Sequence, residues 1–191
     1  VSAIVAWFGG DESGPSASYL AVADEVKPLA YASPYGPDLV GCCSVGVGWT
    51  PFMAVCEDAE ASWRAYGVPR VRSTLLLRKL RAAPPPTCVT HVVHCGRAGE
   101  NKGSRFVLWS ATWKPPTGWE VNAQGPLDRG LPVMVCGTDA RALLHAIEKT
   151  PDDRGVLSTF CDFAAQRAHP YVTQLVATYR YGPAETLGQR W

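Results

Sequence analysis

The stretch 87–113 constrains this chain more than any other. Its outer pieces, 87–95 and 104–113, are rich in Val, Thr, Phe and Trp, residues that suit a pleated, half-buried surface. Between them, 96–103 is Gly-rich and polar, which suits a chain reversal. The pattern predicts a long central β-hairpin. Its first strand carries Cys88, His91, His94 and Cys95, the most chemically loaded run in the sequence.

On either side, apolar runs and Gly/Pro punctuation define the other elements. Residues 1–8 read as a buried strand, closed by Gly9 and Gly10 and a polar loop to Ser18. Pro28 splits 19–32 into two short strands. Residues 33–37 form a turn, and 38–56 read as strand-like around 44–49 and 52–56. A short helix is expected over 57–66. In 70–81 the alternation of Val71, Ser73, Leu75 and Leu77 favours a strand, while Leu76, Leu77 and Leu80 allow a helix. Residues 82–86 end that segment and are the best internal linker.

Past the hairpin, 114–118 breaks the chain, 119–129 reads as irregular and 131–136 as a short buried strand. Thr138 is the expected N-cap of a helix running to Lys149. A second helix covers 156–168. A third opens at Pro170 with the stripe Val172, Leu175, Val176 and Tyr179, and the tail from 182 reads as loose. The whole predicts a single α+β domain over 1–191. A mainly antiparallel sheet fills the first two-thirds, and two or three C-terminal α-helices cover it.

Four side chains in the first hairpin strand are metal-ligand types: Cys88, His91, His94 and Cys95. Alternation on a flat strand sets His91 and Cys95 on one face and Cys88 and His94 on the other, so one zinc cannot be held by all four. Packing residues are the simpler expectation, with no metal and no cofactor. A Cys/His nucleophile pair is the remaining chemistry: Cys42 or Cys43 with His91 or His94. That order, Cys before His, resembles leader-type viral cysteine proteases, which implies a cysteine-dependent hydrolase with Cys43, His91 and His94 as candidates. The nucleophile of those proteases opens a helix, whereas Cys43 precedes a Ser-Val-Gly-Val-Gly run. Cys136, before the expected helix at Thr138, reads as an apolar strand-end thiol. No phosphate loop and no Gly-x-Ser-x-Gly motif is present.

Charge is unevenly distributed. Residues 1–63 carry −7 and 64–191 carry +8, for a net charge of +1. Six cations, Arg64, Arg70, Arg72, Arg78, Lys79 and Arg81, fall in one stretch with no acid. They are the candidate binding residues, either for the acidic third of the same fold or for an acidic partner or second copy. Net charge and the leucines of this stretch disfavour nucleic acid.

Seven cysteines, no signal peptide and no run of about 18 apolar residues predict free thiols, a cytoplasmic setting and no membrane contact. The first residue is Val rather than Met, which fits a processed product, a piece of a longer protein or a non-standard start. No catalytic grouping stands out in the sequence, while seven tryptophans and the split charge favour contact surfaces. The expected function is therefore a non-enzymatic protein-interaction or assembly domain that self-associates or binds another protein. A structural or accessory protein of viral origin fits that description, with the cysteine-dependent hydrolase as the alternative.

Overall fold

A computed structural model describes residues 2–11, 14–24, 28–34, 38–45, 48–65, 73–97, 106–127, 133–150, 153–167, 171–178 and 186–190. The elements in order are β1 (Ser2–Asp11), β2 (Gly14–Asp24), β3 (Leu29–Ala32), β4 (Leu39–Ser44), α1 (Phe52–Arg64), α2 (Ser73–Ala82) and β5 (Thr90–Arg97). There follow β6 (Phe106–Lys114), β7 (Gly118–Leu127), β8 (Val133–Gly137), α3 (Ala140–Ile147), α4 (Asp153–Gln166), β9 (Tyr171–Thr178) and β10 (Thr186–Arg190). The fold is α+β. Two five-stranded antiparallel sheets have the orders β10-β9-β2-β1-β8 and β3-β4-β5-β6-β7.

The sheets pack face to face, and each carries a helix pair on its outer face. Strand alternation makes this visible residue by residue. In β1, Ile4, Ala6 and Phe8 enter the layer between the sheets, with Leu20 and Val22 of β2 and Leu39, Val93 and Leu108 of the other sheet. The alternate residues Ala3, Val5 and Trp7 pack on α3 and α4 through Leu143, Ile147, Phe160 and Phe163. In β4 and β5, Val40, Cys42 and Val92 face α1 and α2 and meet Phe52, Val55, Cys56, Ala59, Leu76 and Leu80. A central strand of such a four-layer stack is apolar on both faces, so β1 reads as an unbroken apolar run. At Gly41 a side-chain Cβ would lie 3.0 Å from Leu20 Cδ2 and Val22 Cγ2, so its absence lets the sheets approach.

The central hairpin is present as β5 and β6, paired from Thr90↔Trp113 to Arg97↔Phe106. Its expected tip lies mostly in 98–105, outside the described residues. The 114–118 break is the turn into β7, and Pro28 separates β2 from β3.

Five expectations are corrected. Residues 52–56 open helix α1 instead of a strand: Phe52, Val55, Cys56 and Ala59 are spaced i, i+3, i+4, i+7 and all are buried. The 70–81 stretch is helical from Ser73, because burying Leu76 and Leu80 on one helical face outweighs the alternation. Residues 119–127 belong to strand β7, held by the β6 ladder despite weak strand composition. Val172, Leu175 and Val176 of the stripe assigned to a third C-terminal helix lie in β9, which pairs with β2 along its whole length, while Tyr179 lies outside the described residues; 186–190 supply β10. Eight residues fit both periods, and the open edge of β2 decides between them. The α3 N-cap is Asp139, not Thr138. Among the described residues no helix is long and apolar enough to cross a membrane.

Gly41→Val should lower stability by roughly 1–3 kcal/mol through overpacking between the sheets. Gly48→Ala, whose Cβ would meet only Leu29 at 3.8 Å, should change it by less than about 0.5 kcal/mol. Urea denaturation of both variants checks the pair.

Candidate functional site

The layer between the sheets is apolar along most of its length and turns polar at one end. Ser2 continues the inward phase of Ile4, and Asp24 that of Leu20 and Val22. Cys43 and Cys136 lie in this layer, and His91 continues the phase of Val93 and Cys95. Ser2 faces Asp24 across β1 and β2, and Cys43 faces His91 across β4 and β5. Opposed side chains of an antiparallel pair stand about 4.5–5.5 Å apart at Cβ. Ser2 is 0% exposed and Asp24 3%.

Hydrogen bonds tie this end together. The Ser2 hydroxyl donates to the Ser44 carbonyl at 2.9 Å, bridging the two sheets. His91 Nδ1 lies 3.0 Å from Thr112 Oγ1. On the other side of Ser44, its hydroxyl lies 2.9 Å from Thr90 Oγ1, which donates to the Cys88 carbonyl at 3.1 Å. Thr90 in turn lines a half-open cleft of about 250 Å³, walled by Trp49, Pro51, Pro84, Pro86 and Cys88. The Trp49 indole N–H donates to the Pro84 carbonyl at 3.0 Å.

Two positive-φ residues lie at the same place. Gly137 has φ 111° and Asp139 φ 57°. A side chain on Gly137 would collide with the Ser2 carbonyl oxygen, which accepts from the Thr138 N–H at 3.0 Å. Asp139 is the only non-glycine at positive φ among the described residues, a conformation that costs about 1–3 kcal/mol. Its side chain makes no cap bond and instead pairs with Arg167 at 3.1 Å. Such strain is typical of functional sites, where the surroundings over-determine it.

The thiols here are poor nucleophiles. Burial pushes Cys43 far above the ordinary thiol range, and nearby Asp24 adds to the effect. Burial raises Cys42, Cys56 and Cys95 in the same way, and Cys136 to about 11. Only a thiolate attacks or binds metal strongly. Register therefore brings Cys43 and His91 together while burial keeps the thiol protonated. His94 is on the opposite face and meets neither. None of the seven cysteines is in a disulfide.

His94 instead forms a buried relay. Its Nε2 lies 2.9 Å from Asp38 Oδ1 and its Nδ1 3.0 Å from Ser73 Oγ. A side chain on Gly96 would strike the Asp38 carboxylate. The connectivity is that of a carboxylate–imidazole–hydroxyl chain. It sits near the far end of β5 from the cleft, and Ser73 is the first residue of α2. It links the first residue of α2 to β5 and to Asp38, just before β4. A matching node fastens α1: Glu60 accepts from Ser33 at 2.6 Å and from the Tyr31 hydroxyl. Burial and Glu60 push the Tyr31 phenol up.

The four metal-ligand types do not converge. His91 and Cys95 face inward, His94 faces α2, and Cys88 precedes the strand and lines the cleft. No group of three or more His, Cys, Asp or Glu is placed to hold a metal among the described residues. Of the six clustered cations, Lys79 pairs with Asp58 of α1 at 2.6 Å, while Arg78 and Arg81 are exposed. Arg70, Arg72 and the Arg64 side chain lie outside the described residues. Ser2, Asp24, Ser44 and Thr90 were not singled out by sequence. Their only signal is that each is a polar residue in inward or helix-facing phase at the end of an apolar strand. No protein-family model matches the chain, and no curated protein matches it.

Ser73→Ala leaves His94 Nδ1 without its partner and should destabilise by about 1–3 kcal/mol, read as a lower midpoint in urea. A second prediction concerns His91, which burial and Lys114 lower below the ordinary 6.5. As pH falls, the unfolded chain protonates this imidazole first. Its contribution to stability is therefore complete above 6.5 and is lost as pH drops through the lowered value. The fall in melting temperature between about pH 8 and about pH 5 should be smaller in His91→Gln.

Proposed function

We propose that the chain is a hydrolase of the acyl-transfer type, acting on amide or ester bonds, with the Ser2 hydroxyl as nucleophile. The observation that carries this is a buried hydroxyl set opposite a buried carboxylate in the β1–β2 register, Ser2 across from Asp24, beside the positive-φ residues Gly137 and Asp139. Buried hydroxyls and carboxylates cost free energy to desolvate, and their concentration at one end of an otherwise apolar layer supports a site there.

In this scheme the Ser2 oxygen attacks the carbonyl carbon, and its proton passes to the Asp24 carboxylate. The tetrahedral centre collapses, the carbonyl–nitrogen or carbonyl–oxygen bond breaks, and the leaving atom takes that proton. Water then attacks the acyl-serine with Asp24 again as acceptor, which releases the acid and restores the hydroxyl. His91, held neutral, is a second proton acceptor at the same end of the layer. The thiol version, with Cys43 attacking and His91 as base, is the less favourable form of the same chemistry, because Cys43 stays protonated. Seven cysteines without a disulfide support a reducing, cytoplasmic location.

A small fluorophosphonate should modify one serine, located by peptide mass mapping at Ser2. Ser2→Ala should remove the adduct, and Asp24→Asn should slow its formation by about 10²-fold or more. An adduct that persists in Ser2→Ala contradicts the assignment.

A second role, assembly through a protein–protein contact, is supported by Arg78 and Arg81, which stand exposed on α2 beside the committed Lys79. Contact with an acidic surface of a partner or second copy would weaken with salt, since the Debye length falls from about 10 Å at 0.1 M to about 3 Å at 1 M. Sedimentation should then show self-association that declines across that range. A monomer throughout contradicts self-assembly.

A further inference from the structure

We propose that the open edge of β7 pairs with the same edge of a second copy of this chain, antiparallel about a two-fold axis at Val121. The inference rests on the assembly role given above and names its partner and its contact.

The edge itself is the first support. Sheet order leaves β7 with β6 on one side, and no other strand pairs with it among the described residues. A strand so placed presents a row of unpaired N–H and C=O groups, a template for another chain. Natural edges are blunted by proline, lysine or bulges. In β7 such guards fall at one end only. Pro126 lies there, and the register with β6 shifts between Phe106 and Leu108, opposite Leu127 and Gln124. From Gly118 to Gln124 the ladder runs without a shift, and this part of the strand holds no proline and no lysine.

Self-complementarity is the second support, and it selects the register. Glu120, Val121 and Asn122 are consecutive and exposed, Val121 to 38%. A two-fold contact sets residue i opposite j and j opposite i. With the axis at Val121, Glu120 faces Asn122 of the second copy and Asn122 faces its Glu120. A carboxylate then meets a carboxamide that can donate to it, twice. Val121 meets its own equivalent, a β-branched pair that suits a sheet. An axis at Glu120 would set two carboxylates against each other, which is unfavourable. An axis at Asn122 would leave Val121 opposite Ala123, with less apolar contact. Lys114 of β6 stays on Glu120 at 2.5 Å, so the carboxylate at the contact keeps its counter-charge.

The experiment is sedimentation equilibrium of the full chain at about 0.1 M salt. Wild type should form a dimer. Asn122→Asp is isosteric, sits at an exposed position and sets a second carboxylate opposite Glu120. It should weaken the dimer by roughly 2–30-fold in Kd, and Asn122→Lys should tighten it by a similar factor. Val121→Lys places two ammonium groups at the axis and should remove the dimer. The opposite signs at position 122 separate the contact from a folding defect, which would weaken the dimer in both variants. A dimer indifferent to all three β7 variants overturns the edge pairing and leaves the assembly role standing. A dimer that both Asn122 variants shift in the same direction overturns the axis at Val121. A wild-type monomer at every concentration overturns the edge pairing and self-assembly together.

Discussion

Everything in this molecule depends on two sheets packed face to face while each also carries helices. That arrangement asks the central strands to be apolar on both faces at once. β1 meets the demand with Ile4, Ala6 and Phe8 on one side and Ala3, Val5 and Trp7 on the other. β4 is buried along its whole length. Close approach of the sheets then requires Gly41, where a larger residue would meet Leu20 and Val22. The helices are secured differently, each by a buried polar node in addition to its apolar stripe: Glu60 for α1 and the Ser73–His94–Asp38 chain for α2.

Against that background the polar end of the inter-sheet layer is unusual. Hydroxyls, a carboxylate, a thiol and an imidazole occupy positions that are apolar one or two residues further along the same strands. Packing alone would favour Val or Leu there, at about 0.8 kcal/mol for each buried methylene. The same end carries Gly137 and Asp139, both at positive φ.

How much of this is legible in sequence depends on the element. The β5–β6 hairpin announces itself through β-branched residues around a Gly-rich centre, and β1 through its apolar run. The α+β class follows from such segments. Short segments with two periods do not declare themselves. In β9, Val172, Leu175 and Val176 fit a helix stripe, and only pairing with β2 makes them a strand. Phe52, Val55, Cys56 and Ala59 do carry a helical spacing, and it is masked by the strand-like composition of the first five residues. The candidate site is less legible still. His91 and Cys43 attract notice by residue type, but Ser2 and Asp24 are ordinary residues at strand ends. They meet only because β1 and β2 pair in one register and the second sheet closes over them. Register and sheet packing are long-range properties, and no local pattern encodes them.

The most direct measurement is a crystal structure of the full chain soaked with a small boronic acid, a mimic of the tetrahedral intermediate. The prediction is a tetrahedral boron bonded to Ser2 Oγ, with Asp24 facing it. Boron bonded to Ser73 Oγ, or a polar end left unoccupied at saturating inhibitor, would contradict the assignment of Ser2 as the nucleophile.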